Sequence, residues 1–189
     1  MRKAVFLDRD GTLIELVEYL ADPGDVRLVN GAGEAMRELR GLGYALVVVT
    51  NQSVIGRGIL TEAGLAEIHA ELERQLMEFD VSLDGIYHGP LEPLQKDPAV
   101  IEHPDRKPGP GMLLQACREL ELEASASWMI GDSLSDILAG RNAGCKGSIL
   151  VRTGYGEKVD AEAHGFRHVA KDLAEAARMV VELDGVSPE

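Results

Sequence analysis

Four short segments of this chain carry residues able to do chemistry. Asp8-Arg9-Asp10-Gly11-Thr12 places two carboxylates one residue apart behind the apolar run at 4–8. Thr50-Asn51 closes the run YALVVVTN, Arg106-Lys107-Pro108 precedes a helical pattern, and Gly131-Asp132 closes SWMIGD with Asp136 four residues on. Carboxylates gathered at the ends of buried strands repel one another and are costly to desolvate, so such a set calls for a compensating cation. Singly, each segment also reads as a solvated turn, a helix cap or a surface lysine. In this order, each at a strand end or helix start, they fit phosphoryl transfer.

In that chemistry Asp8 and Asp132, helped by the backbone carbonyl of Asp10, hold a hard oxygen-seeking ion such as Mg²⁺. Asp8 is the nucleophile that forms an aspartyl-phosphate, and Asp10 protonates the leaving alkoxide and then activates water. The Thr50 hydroxyl and amides near Asn51 bind phosphate oxygens, and Lys107 supplies a fixed positive charge. Gly11 allows a close backbone approach, and Thr12 orients the turn. Asp136, one helical turn beyond Asp132, orients Lys107 or hydrogen-bonds ligands of the metal.

The elements that must position these residues alternate between strand and helix. Strands are expected at 4–8, 44–51, 85–88, 127–132, 147–154 and 166–170. Helices are expected at 31–40, 62–78, 110–120, 134–144 and 172–185. The long helix opens at Thr61 and carries Leu65, Ile68, Leu72, Leu76 and Met77 on one stripe. Residues 89–108, rich in Pro and charge, read as a long loop. The pattern predicts one α/β domain over 1–189, a Rossmann-like, doubly wound, mainly parallel sheet, with ligands at the carboxyl ends of its strands.

Composition narrows the partners. With 19 Lys and Arg against 32 Asp and Glu, the net charge is −13, which disfavours nucleic acid and anionic membranes but leaves room for a small phosphorylated substrate. No apolar run reaches the ~20 residues of a membrane span, and the first residues lack a signal-peptide pattern, so a cytoplasmic protein is expected. Cys117 and Cys145 have no metal-ligand or disulfide spacing and read as buried structural thiols. A monomer is expected, with a weak homodimer as the alternative.

The four segments resemble the motifs of the haloacid dehalogenase (HAD) superfamily across nearly the whole chain. FLDRDGTL, VVVTNQSVIGRG and RKPGPGM resemble its subfamily IIIA, in particular the small-capped branch acting on heptose bisphosphates and histidinol phosphate; LDGIYHGP and LVRTGYG match it too. The resemblance implies a fold without a large cap and phosphomonoester hydrolysis through phospho-Asp8. It implies heptose 1,7-bisphosphate as substrate, with histidinol phosphate or another small sugar phosphate as alternatives. Arg106 would then bind substrate beside the scissile group, the stretch to Tyr19 would border the sugar, Gln52 and Ser53 would continue the phosphate loop, and Arg57 would be a second cation.

Two positions depart from the branch. Its usual zinc site in the long loop falls here on Gly89, Leu91, His103 and Asp105, of which the first two have no ligating side chain, so structural zinc is not expected. Ser133 stands where a Lys commonly follows Gly-Asp. A receiver-type signalling domain also uses Asp, Mg²⁺, Thr and Lys, but its acceptor follows the third strand, and here the acidic pair follows the first.

Overall fold

Continuous apolar runs such as ALVVV dictate a sheet covered on both faces, and the computed structural model, which describes residues 1–185, has that form. The strands are β1 (Ala4–Leu7), β2 (Ala45–Asn51), β3 (Gly85–Gly89), β4 (Trp128–Gly131), β5 (Gly147–Val151) and β6 (Val169–Ala170). The helices are α1 (Ala32–Gly41), α2 (Ser53–Gly56), α3 (Glu62–Met77), α4 (Gly111–Glu119), α5 (Leu134–Asn142) and α6 (Leu173–Asp184). All six strands run parallel in the order β3-β2-β1-β4-β5-β6. β1 lies between the halves, pairing Leu7 with Val48 on one side and with Ile130 on the other.

Period-2 alternation divides the core cleanly. Val5, Leu7, Leu46, Val48, Trp128 and Ile130 pack under α1, α3 and α6. Ala4, Phe6, Ala45, Val47, Val49 and Met129 pack under α4 and α5. With both faces covered, every strand carboxyl end points to one sheet edge, and the order reversal at β1 opens a crevice there. No large cap domain interrupts the described residues, and none of their helices is long and apolar enough to cross a membrane.

Several boundaries differ from the sequence reading, each for a physical reason. Met77 is 70% exposed: Leu65, Ile68, Leu72 and Leu76 already complete the buried stripe of α3, and the next residue turns about 100° away from it. Thr61 does cap this helix, accepting from the Gly64 N–H at 3.1 Å. Pro110 stands before α4 as its cap rather than as its first residue. The short helix α2 was not foreseen; one turn suffices to bury Val54. β5 stops at Val151, and β6 shrinks to two residues at the sheet edge. Cys117 and Cys145 are free and only half-buried.

The loop after β3 is held by backbone contacts. Gly89 is the last residue of β3, and a Cβ there would lie 2.2 Å from the Asp105 carbonyl oxygen, so glycine lets the two segments touch. Leu91 offers its carbonyl to Arg106 Nη1 at 2.5 Å, and His103 Nδ1 accepts from the Asp105 N–H at 3.1 Å. The Leu94 N–H donates to both carboxylate oxygens of Glu102, at 2.9 and 3.0 Å.

Candidate active site

Asp8 follows β1 directly, its N–H still in the ladder with the Ile130 carbonyl at 2.9 Å. Its carboxylate meets Lys107, whose ammonium lies 2.6 Å from Asp8 Oδ1, 2.6 Å from Asp136 Oδ1 and 2.7 Å from the Val49 carbonyl. Lys107 is only 3% exposed. Burial opposes its charge, but Asp136 and Asp8 together hold it protonated, above its ordinary range. The lysine comes from the long loop, and Asn51 fixes it there: the Asn51 side chain donates to the Lys107 carbonyl at 3.1 Å and accepts from the Lys107 N–H at 3.0 Å. The amide of Asn51 thus clasps the backbone of Lys107.

Asp132 follows β4 and packs against two glycine backbones. Gly11 has φ +82°, and a Cβ there would lie 2.2 Å from Asp132 Oδ2 and 3.1 Å from the Gly154 Cα. The Tyr155 N–H donates to the same oxygen at 2.7 Å, and Thr153 Oγ1 donates to the Gly11 carbonyl at 2.6 Å. Ser133 caps α5 in a reciprocal box with Asp136, whose Oδ2 accepts from the Ser133 N–H at 3.0 Å and hydroxyl at 2.6 Å. Asp136 is therefore spent on Lys107 and on the helix start. Replacing Gly11 by Ala is expected to push Asp132 aside and weaken the apparent affinity for Mg²⁺ by about 10–100-fold, measured by titrating activity with the ion. An unchanged titration would show that Asp132 tolerates the displacement.

Asp10 stands beside Asp8 with its carboxylate pinned. Arg9 Nε and Nη2 reach its two oxygens at 3.1 Å each, and Gln52 Nε2 donates to Oδ2 at 2.8 Å and to Thr50 Oγ1 at 2.8 Å. The Thr50 hydroxyl, accepting from Gln52, keeps its own proton to donate. Gln52 is buried behind this row, and Ser53 opens α2.

The rim holds the remaining residues. Arg57 lies 3.5 Å from Glu92 and stacks 5.7 Å above the Tyr19 ring. Arg106 is half-buried, and both burial and the charge of Arg57 lower its pKa. Tyr155, 45% exposed, lines a cavity of about 210 Å³ together with Asp8, Asp10, Thr50, Lys107 and Asp132. Sequence reasoning passed over Arg9, Thr153 and Tyr155; the FLDRDGTL and LVRTGYG runs contain them but showed no role for any of the three. A larger cleft of about 850 Å³ beside Arg2 and Leu122 lies at the opposite edge of the sheet and brings no comparable set together.

The residues fit a divalent cation. Among the described residues, Asp8, Asp132 and Asp136 form the one group of three potential ligands, each offering an atom within 4.8 Å of the others. Asp8 Oδ1 is taken by Lys107 and Asp132 Oδ2 by Tyr155, so Asp8 Oδ2 and Asp132 Oδ1 have no protein donor among the described residues. Burial raises the pKa of both carboxyls, and repulsion within the cluster adds to it despite Lys107. Two free carboxylate oxygens in such a field suit a hard cation.

A HAD-hydrolase-like family model matches residues 105–176, which span Lys107, Asp132 and Asp136. The D-glycero-beta-D-manno-heptose-1,7-bisphosphate 7-phosphatase of Pasteurella multocida is 37% identical over 180 residues, 95% of this chain and 97% of its own. The chain belongs to the HAD phosphatase family. The enzyme of the same name from Photorhabdus laumondii is 44% identical to this HAD phosphatase, covering 84% of this chain and 85% of its own. Among solved structures, the D,D-heptose 1,7-bisphosphate phosphatase of B. bronchiseptica, complexed with magnesium and phosphate, superposes on this HAD phosphatase with a TM-score of 0.84. It is 30% identical and covers 96% of this chain and 99% of its own.

Proposed function

We propose that this phosphatase removes the 7-phosphate of D-glycero-D-manno-heptose 1,7-bisphosphate through a phospho-Asp8 intermediate. The similarity to enzymes of that name over most of both chains carries the substrate assignment. The Asp8 carboxylate forms a bond to phosphorus while the bond from phosphorus to the sugar oxygen breaks. Asp10 gives its proton to that oxygen, releasing heptose 1-phosphate. Water then attacks the phosphorus of phospho-Asp8, Asp10 accepts its proton, the acyl-phosphate bond breaks, and orthophosphate leaves. Lys107 and the Thr50 hydroxyl oppose the charge on the equatorial oxygens in both steps. A Mg²⁺ ion held by Asp8 and Asp132, with the Asp10 carbonyl, would neutralise the carboxylates and let an anionic phosphate approach them. Arg57 and Arg106, neighbours at the rim, suit the second phosphate of the substrate.

A panel of both anomers of heptose 1,7-bisphosphate, histidinol phosphate and several hexose phosphates tests this reading by orthophosphate release. We expect kcat/KM for one heptose anomer to exceed that for the other compounds by at least about 10-fold. Turnover of histidinol phosphate alone would overturn the substrate assignment. In the same assay chelation is expected to reduce the rate to background and added Mg²⁺ to restore it; full activity in metal-free buffer would rule out the cation's role.

A further inference from the structure

Arg9 takes no part in the chemistry above and cannot touch a substrate, because its side chain is only 1% exposed. A guanidinium buried to this degree is costly unless paired. Among the described residues Asp10 is the only acid it meets, and the contact is side-on, with Nε to Oδ2 and Nη2 to Oδ1 both at 3.1 Å. Gln52 adds the 2.8 Å bond to Oδ2. Three donors spread over two oxygens fix the plane of the carboxylate as well as its position. Oδ2 accepts from two residues, whereas Oδ1 accepts from Arg9 alone and keeps a lone pair for a proton in transit.

We propose that Arg9 is the positioning residue for Asp10, holding Oδ1 toward the oxygen that receives or surrenders the proton. This rests on the acid–base role proposed for Asp10 above. The surroundings of Arg9 support it. Among the described residues its Nη1 has no partner, and neither does the buried Nε2 of His69 on α3. Burial, the charge of Arg9 and the nearby His88 lower the pKa of His69 to about 3, so that imidazole stays neutral, and Asp10 is the charged group that the guanidinium contacts. A carboxylate held by such a rigid second layer keeps the sub-ångström placement that proton transfer requires.

The test compares two leaving groups. The primary alkyl phosphate that the wild-type enzyme turns over fastest needs a proton on its leaving oxygen; p-nitrophenyl phosphate does not, since p-nitrophenolate leaves unaided. In Arg9→Leu, kcat/KM for the alkyl phosphate is expected to fall about 100-fold while that for p-nitrophenyl phosphate stays within about fivefold. A burst of p-nitrophenolate should precede slow turnover, because hydrolysis of phospho-Asp8 also needs Asp10. A purely structural role would lower both constants in parallel, without a burst. If Arg9→Leu does not fold, Arg9→Lys, which keeps the charge but cannot span both oxygens, is expected to lower the ratio of the two constants about 10-fold. A ratio within about twofold of wild type in a folded variant overturns the proposal. Asp10→Asn is the reference: if it shifts the ratio and the Arg9 variants do not, only the positioning role is lost. If Asp10→Asn itself leaves the ratio unchanged, the acid–base reading fails and the proposal with it.

Discussion

Asp8→Asn is expected to lower kcat by about 10⁴-fold or more while leaving the fold intact. The amide has nearly the same shape as the carboxylate but cannot form the acyl-phosphate, and each neighbouring carboxylate is already held by protein donors of its own. Asp136 is occupied by Lys107 and Ser133, Asp132 by Tyr155, and Asp10 by Arg9 and Gln52. Stability should change little, because two opposing effects accompany the loss of charge. One anion leaves a crowded buried cluster, and Lys107 loses one of two carboxylate partners but keeps Asp136 and the Val49 carbonyl. Orthophosphate release and an unfolding curve on the same sample check both halves. Residual activity within about 100-fold of wild type would remove Asp8 as the nucleophile.

Lys107→Met should damage both stability and rate. Without the ammonium, Asp8 and Asp136 remain buried with no cation between them, and breaking a buried ion pair from one side costs about 3–5 kcal/mol. The loss should be greatest in the presence of chelator and partly recovered with Mg²⁺. It should also shrink as pH falls. The Asp8 carboxyl, already raised by burial, then titrates above its unfolded value, so the folded variant takes up a proton before the unfolded chain does. The rate should drop by about 10²–10³-fold, the usual loss for one charge-stabilising donor. Denaturant titrations at two pH values would measure the first effect. A deficit that grows on acidification would contradict the placement of Lys107 between the two acids.

The sheet and the acidic set were legible in the sequence because both leave local signals. A continuous run such as ALVVV identifies a strand buried on both faces, and Asp8, Thr50 and Asp132 each stand where such a run stops. The jobs of Asn51, Gln52 and Arg9 were not legible. An amide can serve substrate or backbone equally well, and only the approach of the loop near 107 commits Asn51 to Lys107. Gln52 is drawn back under Asp10 by the turn into α2, which no periodicity announces. Arg9 alternates away from Asp8 along the chain, and nothing in its residue type discloses that it is buried against Asp10. Tyr155 reaches Asp132 through a backbone N–H, a contact that its residue type does not disclose. Met77 marks the limit of stripe counting, since an apolar residue at a helix end costs little when exposed.

The position of β1 also governs when the site can exist at all. Its neighbours come from opposite halves of the chain, β2 early and β4 late. While the protein is being synthesised, Asp8, Asp10 and Thr50 leave the ribosome well before Lys107, Asp132 and Asp136, and one side of β1 stays an open edge until β4 arrives. Assembly of the acidic set therefore waits on β4, and a nascent chain stalled before that point would present an acidic strand tip rather than a half-active enzyme.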